Sequence, residues 1–213
     1  MTEIVSIEGD GADAARSALE RWVGEGGVAI FPADTVYGIA CDPLNAEAIE
    51  RIHSIKGRDQ GKPSAVMYFS PLAMRELVSG LGPRSRQAVS QLLPGPVTLV
   101  LANPERRYPL ASRDNAERLG VRLIEGPLAG AITPIFQTSA NRSGEPSPRS
   151  FDEIDPPVLA QADLAIDGGE LIGASSTVID LSELDSTGRW QVLREGALPT
   201  GAIDQVLSEI PED

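Results

Sequence analysis

The stretch Val28-Ala29-Ile30-Phe31, which continues as Pro32-Ala33-Asp34-Thr35-Val36-Tyr37-Gly38-Ile39, decides the expected fold. Four consecutive apolar residues closed by a proline are typical of a strand that is covered on both faces. In α/β sheets, ligands bind beyond the carboxyl ends of such strands, and the next segment offers a hydroxyl, a phenol and a glycine there. An ordinary turn accounts for the same residues, so this segment alone leaves both interpretations open.

Helix and strand patterns alternate around this strand. Helices are predicted at about residues 12–24 with Asp10 as cap, after the cap Asn45 with an isoleucine face, and at 71–79, 83–93 and 200–209. Strands dominate the second half, and residues 143–157 are predicted to cross the surface as a loop. The pattern therefore predicts a mixed α/β sheet, whose further strands are Ile4–Ile7, Ser64–Phe69, Val97–Leu101, Val121–Ile124, Ile135–Thr138, Leu164–Ile166, Thr177–Leu181 and Gln191–Leu193.

Composition limits the classes of function. The chain has 213 residues, 41% of them apolar, which suits one soluble α/β domain over residues 1–213. A formal charge of −13 repels a phosphate backbone, so stable direct nucleic-acid binding is not expected. No export signal or membrane span is indicated, and the single cysteine, Cys41, fits a reducing cytoplasm.

Because His53 is the only histidine, no Cys/His cluster has metal-ligand spacing, and the sequence offers no Ser-His-Asp candidate set. It lies away from the isoleucine face of its helix, and we predict a solvated surface histidine. Cys41 has no apparent base to activate it, so we predict a small packed side chain. Covalent hydrolase chemistry therefore has little support.

Four further segments carry polar side chains beside predicted strands or helices. Lys56-Gly57-Arg58-Asp59-Gln60-Gly61-Lys62-Pro63 places three cations among glycines and suits a phosphate, although a cation before glycine is also a routine helix cap. Thr138–Gly144 offers hydroxyls and backbone N–H groups for phosphate or ribose, or is a simple turn. Ser175–Asp180 and Arg194-Glu195-Gly196 follow late strands, where threonine and valine are also ordinary strand formers.

In chain order, these segments resemble the signature blocks of the YrdC-like threonylcarbamoyl-AMP synthase family. The matching blocks cover about residues 15–200 and are Pro32 to Ile39, Lys56-Gly57-Arg58, Pro94-Gly95-Pro96-Val97-Thr98, Val121-Arg122, Ser139 to Gly144, Ser176-Thr177-Val178 and Arg194-Glu195-Gly196. Three positions depart from the family pattern. Ala33 replaces a threonine, Met67 stands where longer members carry histidine, and Leu123 to Pro127 replaces Pro-x-His-Pro.

The resemblance implies a twisted sheet of parallel and antiparallel strands with flanking helices and an open concave face for nucleotide. It also implies the short form of the family, without the extra C-terminal domain. In the implied reaction, threonine and bicarbonate give a carbamate that attacks the α-phosphorus of ATP, releasing pyrophosphate. Mg²⁺ is expected with the ATP and without a dedicated protein ligand set. The product is expected to pass by transient contact to the tRNA threonylcarbamoyl-transferase machinery.

The resemblance also assigns site residues. Lys56 and Arg58 are the expected catalytic residues, and threonine is expected to contact Thr35, Arg122 and Ser176, with Arg122 on its carboxylate. The expected ATP contacts are Lys56, Arg58, Lys62, Thr98, Ser139, Asn141, Ser147 and Arg194.

Two other functions compete with this one. The first is a noncatalytic nucleotide- or RNA-binding module on the same fold, which the acidic charge and few aromatic residues disfavour. The second is a carbamoyl-transfer relative of the hydrogenase-maturation type, in which this fold is one part of a much longer chain.

Overall fold

A single mixed sheet organises the computed structural model, which describes residues 1–57 and 63–211. Across the sheet, the order of its ten strands in this described part is β1-β8-β2-β3-β7-β4-β6-β5-β9-β10. Four neighbouring pairs are parallel, namely β1/β8, β2/β8, β4/β6 and β5/β9, and the other pairs are antiparallel. The predicted mixed α/β sheet is confirmed, with β1 Glu3–Ser6, β2 Ala29–Pro32, β3 Tyr37–Cys41, β4 Ala65–Tyr68, β5 Val97–Ala102, β6 Arg118–Leu123, β7 Ile135–Ser139, β8 Leu164–Asp167, β9 Thr177–Asp180 and β10 Gln191–Arg194.

Helices flank this sheet on both faces. Asn45 caps one of them as predicted, because its side-chain oxygen accepts the N–H of Ala48 at 3.0 Å. None of the helices in the described ranges is long and apolar enough to cross a membrane. Besides a 3₁₀ turn at Phe151–Glu153, these helices are α1 Ile7–Asp10, α2 Ala12–Gly24, α3 Ala46–Lys56, α4 Pro71–Ser79, α5 Pro83–Leu92, α6 Pro109–Ser112, α7 Pro156–Leu159, α8 Leu184–Thr187 and α9 Thr200–Ser208.

The predicted cap of α2 is wrong. Gly11 precedes that helix and makes no side-chain capping bond. Asp10 instead accepts the N–H of Ser6 at 2.8 Å, and the hydroxyl of Ser6 accepts the N–H of Gly9 at 3.2 Å. These reciprocal bonds stabilise the short helix α1, which the sequence pattern did not predict.

The predicted surface position of His53 is also wrong. His53 is only 2% exposed, and its ring lies 6.0 Å from the ring of Phe136 in β7. The buried surface of α3 is wider than the isoleucine face, because the helix lies flat against the sheet and also covers this histidine.

Strand β3 occupies residues that the sequence predicted as loop. β2 and β3 form a hairpin in which Pro32 pairs with Tyr37, so residues 33–36 alone make the turn. All five residues of β3 are buried, and the strand separates β2 from β7. The turn that carries Asp34 and Thr35 therefore lies at the end of two strands in the middle of the sheet.

Two apolar layers cover the sheet unequally. Helices α3, α4, α5 and α9 cover one face with residues such as Ile52, Met74, Leu92 and Ile203. On the other face, α2 and residues 124–131 form a smaller cluster that includes Met67 and Ile135. Further along those same strands, the face that the smaller cluster leaves uncovered is the floor of a cavity.

Candidate functional site

The cavity over this uncovered face has a volume of about 480 Å³, within the usual size of small-molecule sites. Arg58 and Lys62 lie outside the described residues. The structure brings together the other predicted site residues, because all of them line the cavity: Thr35, Lys56, Thr98, Arg122, Ser139, Asn141, Ser147, Ser176 and Arg194.

Arg122 forms an ion pair with Asp34 at the border between the cavity and the smaller apolar cluster. A guanidinium Nη2 of Arg122 donates to a carboxylate oxygen of Asp34. Arg122 is 4% exposed, and its burial lowers the pKa of the guanidinium while the Asp34 carboxylate opposes that shift. Its Nε has no acceptor in the described part of the chain. The guanidinium of Arg122, whose N–H groups form a fork, therefore has N–H donors left that suit a carboxylate ligand.

Thr35 lies beside this ion pair in the hairpin turn. Its backbone carbonyl accepts the N–H of Gly173 at 2.8 Å, which fixes the turn against residues 170–176. The side chain is fully buried, and its Oγ1 has no hydrogen-bond partner among the described residues. A buried hydroxyl without a partner destabilises the free protein, so a ligand is the natural partner here.

Lys56 joins the end of α3 to the end of β7. Its ammonium donates to the carbonyl of Asn141 at 2.6 Å and also to the carbonyl of Ser139. The N–H of Ser143 in turn donates to the carbonyl of Lys56 at 2.8 Å. Lys56 therefore fixes the segment that carries Ser139 and Asn141, with its positive charge at the cavity wall.

Thr98, Ser176 and Arg194 form a hydrogen-bonded row across β5, the start of β9 and β10. The hydroxyls of Thr98 and Ser176 lie 2.9 Å apart, and Arg194 Nη2 donates to the carbonyl of Ser176 at 2.7 Å. Partial burial lowers the pKa of Arg194. The row presents a guanidinium and two hydroxyls to the same side of the cavity.

Ser147 comes from the loop that was predicted at residues 143–157. That loop is attached to β3, because the N–H of Tyr37 donates to the carbonyl of Pro148 at 2.9 Å. The phenol of Tyr37 donates to the carbonyl of Gly169 at 2.8 Å and accepts the N–H of Gly168 at 3.0 Å. Burial raises the pKa of Tyr37 to about 12, so this phenol remains a neutral structural group.

Sequence reasoning missed several residues of this cavity. Arg118 and Gln137 both line it, and Gly120 and Ala65 lie at matching register in its floor. The guanidinium of Arg118 is bound to Asp180 at 2.6 Å. A signal was present for Gln137, since it is a polar residue directly after the apolar pair Ile135-Phe136 in a buried strand.

The chemistry of the lining favours anionic ligands. Its charged groups within residues 1–57 and 63–211 are lysine and arginine, and the remaining polar groups there are hydroxyls, amides and backbone groups. Cys41 is buried among apolar residues of the larger core, as predicted, and burial raises the pKa of its thiol. The arrangement suits binding and orienting two anions more than it suits covalent catalysis.

Comparisons with known proteins give a family model, relatives and solved structures that the chain resembles. The Sua5/YciO/YrdC family model, described as telomere recombination, matches residues 21–196. The threonylcarbamoyl-AMP synthase of Pyrococcus abyssi is 32% identical over 209 residues, which are 92% of this chain and 60% of that protein. Crystalline P. abyssi Sua5 complexed with L-threonine aligns with a TM-score of 0.83 at 30% identity, over 99% of this chain and 62% of that one. Escherichia coli YciO aligns with a TM-score of 0.76 at 28% identity, over 93% of this chain and 98% of that one. This chain therefore spans less than two thirds of the P. abyssi protein.

Proposed function

Because this chain belongs to the Sua5/YciO/YrdC family, we propose that it is an L-threonylcarbamoyladenylate synthase. The reaction converts L-threonine, bicarbonate and ATP into threonylcarbamoyl-AMP and pyrophosphate, which makes the enzyme a nucleotidyltransferase. Relatives named threonylcarbamoyl-AMP synthase and a related structure with L-threonine support this function. A noncatalytic binding module on the same fold is not favoured.

One observation carries the proposal. Residues between Thr35 and Arg194, taken from separate turns, strands and helix ends, converge on one cavity that can accommodate a small molecule. Four of them in the described ranges, Lys56, Arg118, Arg122 and Arg194, are cationic in a chain whose net charge is −13. Such a local positive cavity concentrates anionic substrates against the repulsion of the remaining surface.

The amino-acid end of the proposed site is the wall formed by Thr35, Arg122 and Ser176. The Arg122 fork pairs with the carboxylate of threonine, since Asp34 holds one Nη and leaves other donors for the ligand. Thr35 lines the same cavity, and its buried hydroxyl has no protein partner in the described ranges.

The nucleotide end is the part of the cavity near Lys56, Ser139, Asn141 and Ser147, and the row that holds Thr98 and Arg194 meets the amino-acid end at Ser176. Backbone and hydroxyl groups at the end of a strand suit phosphate oxygens. Arg58 and Lys62, which are outside the described residues, are proposed to add positive charge to this end. Lys56 and Arg58 then stabilise the charge that develops on the α-phosphoryl oxygens.

The proposed chemistry proceeds in two steps. The ammonium of threonine first gives up a proton; its neutral amine then bonds to the carbon of bicarbonate, and water leaves to give a carbamate. A carbamate oxygen then bonds to the α-phosphorus while the bond between that phosphorus and the bridging oxygen breaks, so pyrophosphate leaves with the electron pair. This step needs in-line positioning and charge stabilisation but no covalent enzyme intermediate.

A divalent cation fits this site as a companion of the nucleotide. No carboxylate lines the described part of the cavity, and no group of three or more acidic, histidine or cysteine residues there forms a metal site. We therefore propose that Mg²⁺ enters with ATP, held by phosphate oxygens and water. The ion would neutralise phosphate charge during the reaction.

The product is a mixed anhydride that water destroys, so it must pass quickly to an acceptor. We propose transient transfer to the tRNA threonylcarbamoyl-transferase machinery in the cytoplasm. The acidic surface supports contact with a protein partner more than direct binding to tRNA.

Pyrophosphate release from ATP tests the proposal. The assay contains Mg²⁺ and bicarbonate, with L-threonine, serine, valine or no amino acid. Release that requires both threonine and bicarbonate supports the synthase, with threonylcarbamoyl-AMP identified by mass. ATP binding without threonine-dependent release would instead indicate a nucleotide-binding module.

A further inference from the structure

Gln137 is a buried amide that faces the cavity. It lies in the middle of β7, is 8% exposed, and points to the face opposite its neighbour Phe136, which belongs to the larger core. Its side-chain amide makes no hydrogen bond within residues 1–57 and 63–211. The amide offers two N–H donors and a carbonyl acceptor that are open to the cavity, and a ligand that covers such a group without bonding it loses free energy.

The neighbours of Gln137 leave this amide uncovered. At matching register across the sheet lie Ala40 in β3 and Ala65 in β4, and Ala65 pairs in turn with Gly120 in β6. Methyl groups and a glycine can neither bond the amide nor cover it. An unpaired polar group over a floor of small residues indicates a ligand that completes its hydrogen bonds.

The register places Gln137 near the proposed amino-acid end of the cavity. Arg122 pairs with Met67, and Met67 pairs with Ile135, which is two residues before Gln137 on its strand. The backbone of Gln137 therefore lies about 7 Å along the strands and about 10 Å across them from that of Arg122. Because both side chains are long, their polar ends can approach each other more closely than the backbones do. The Asp34–Arg122 ion pair crosses β7 and β4 from the hairpin turn.

We infer that Gln137 determines amino-acid specificity by hydrogen-bonding the side-chain hydroxyl of the substrate. This inference rests on the proposed function and names the group that selects threonine. A hydroxyl both donates and accepts, which matches the carbonyl and the NH₂ of an amide. Thr35 also lines the cavity, and its buried hydroxyl has no partner in the described ranges.

The physical basis of selection is the cost of an unpaired amide. Valine has the shape of threonine but lacks the hydroxyl, so its binding would cover the amide of Gln137 without giving it a partner. A site built to bond a substrate hydroxyl discriminates strongly against the analogue that lacks it. Discrimination between threonine and valine should therefore depend on the amide of Gln137.

Gln137→Leu removes the amide and keeps most of the volume, and Gln205→Leu is the matched control. Gln205 is exposed on α9, outside the residues that line the cavity. The readouts are calorimetric dissociation constants for threonine and valine, the KM for ATP in pyrophosphate release, and the thermal midpoint of each variant. Gln137→Met is a second variant in case the leucine does not fit.

In Gln137→Leu, we expect threonine to bind roughly 10-fold or more weakly while valine binding changes less than about twofold. The KM for ATP should stay within about twofold of wild type. The thermal midpoint of the ligand-free protein should change little, because the replaced amide makes no hydrogen bond to the described part of the protein and is open to the cavity. Gln205→Leu should leave all these values unchanged.

Three results would overturn the inference. They are an unchanged preference for threonine over valine in a folded variant, a loss confined to ATP, and a wild type that binds neither amino acid. A wild type that binds threonine selectively but releases no pyrophosphate would refute the proposed synthase reaction alone. In that case the comparison of amino-acid binding between wild type and Gln137→Leu still decides the role of Gln137.

Discussion

The carboxylate of Asp34 in the β2–β3 turn accepts a hydrogen bond from the guanidinium of Arg122 on β6, with β7 and β4 between their strands. The contact joins two walls of the cavity above its floor. The contact also fixes the orientation of the Arg122 guanidinium. Burial of this guanidinium lowers its pKa. Arg122 remains charged, because arginine stays protonated even after large shifts.

Asp34→Asn should weaken the use of threonine more than the use of ATP. The amide keeps the size of the carboxylate but removes its charge, so the Arg122 fork loses its orientation. We expect kcat/KM for threonine to fall by about 10- to 100-fold, with the KM for ATP within about threefold of wild type. Pyrophosphate-release kinetics measure both. The exposed control Asp204→Asn should behave as wild type, and an equal loss for the two substrates would contradict this role.

Arg194→Ala should weaken ATP binding without unfolding the protein. Arg194 is exposed on the edge strand β10, and the bond between the Thr98 and Ser176 hydroxyls does not need it. We expect the KM for ATP to rise by about 10-fold, and Arg58→Ala is predicted to have the same effect. The control is Arg189→Ala, an exposed arginine outside the cavity. If ATP affinity and turnover survive in both site variants, the nucleotide wall is assigned wrongly.

Gly120→Leu should block the cavity while Gly120→Ala should not. A Cβ at Gly120 would lie 3.4 Å from the Cα of Ala65, which is an ordinary contact. We expect the alanine variant to keep its stability within about 1 kcal/mol and to retain binding. The leucine side chain would extend over the floor and abolish binding of ATP and threonine, measured by calorimetry. Gly201→Leu, at an open position in α9, controls for a larger side chain; retention of binding by Gly120→Leu would refute this floor.

Tyr37 should give stability that disappears at high pH. Its pKa is raised from 10.0 to about 12, chiefly by burial, so the folded state favours the neutral phenol. Its contribution is complete below pH 10, where the unfolded tyrosine is also neutral, and is lost as pH rises to about 12. Tyr37→Phe should therefore unfold at a lower temperature at pH 8, with a difference that narrows between pH 10 and 12. Circular-dichroism melts measure this, and a difference that stays constant with pH would contradict the prediction.

The elements with local signals were predictable from the sequence. The Asn45 cap and the proline of α4 mark helix starts, and the apolar run at Val28 marks a strand. β3 was not predictable in the same way, because Tyr37 and Gly38 resemble a loop and are buried only by pairing with β7. His53 was misassigned for a similar reason, since Phe136 reaches it from a strand distant in sequence.

The site was predictable as a set of segments but not as an arrangement. Family-like blocks supplied Thr35, Arg122 and Ser176, whose convergence depends on strand order. Gln137 belongs to no such block. Its importance follows from register, because only the pairing with Ala65 shows that its amide is uncovered. The partner of Arg122 likewise depends on how the hairpin turn folds over the sheet.

The two faces of the sheet have different roles. The face with the larger apolar layer stabilises the fold, and the face with the cavity determines which ligand binds. The cavity floor is backed on its far side by the larger apolar layer, whereas much of the wall comes from turns and loops with few core residues. Replacement of a wall residue therefore alters what binds at little cost in stability, but replacement within the apolar layer threatens the whole sheet. Substrate preference can therefore change through single wall residues such as Gln137 while the apolar layer stays the same.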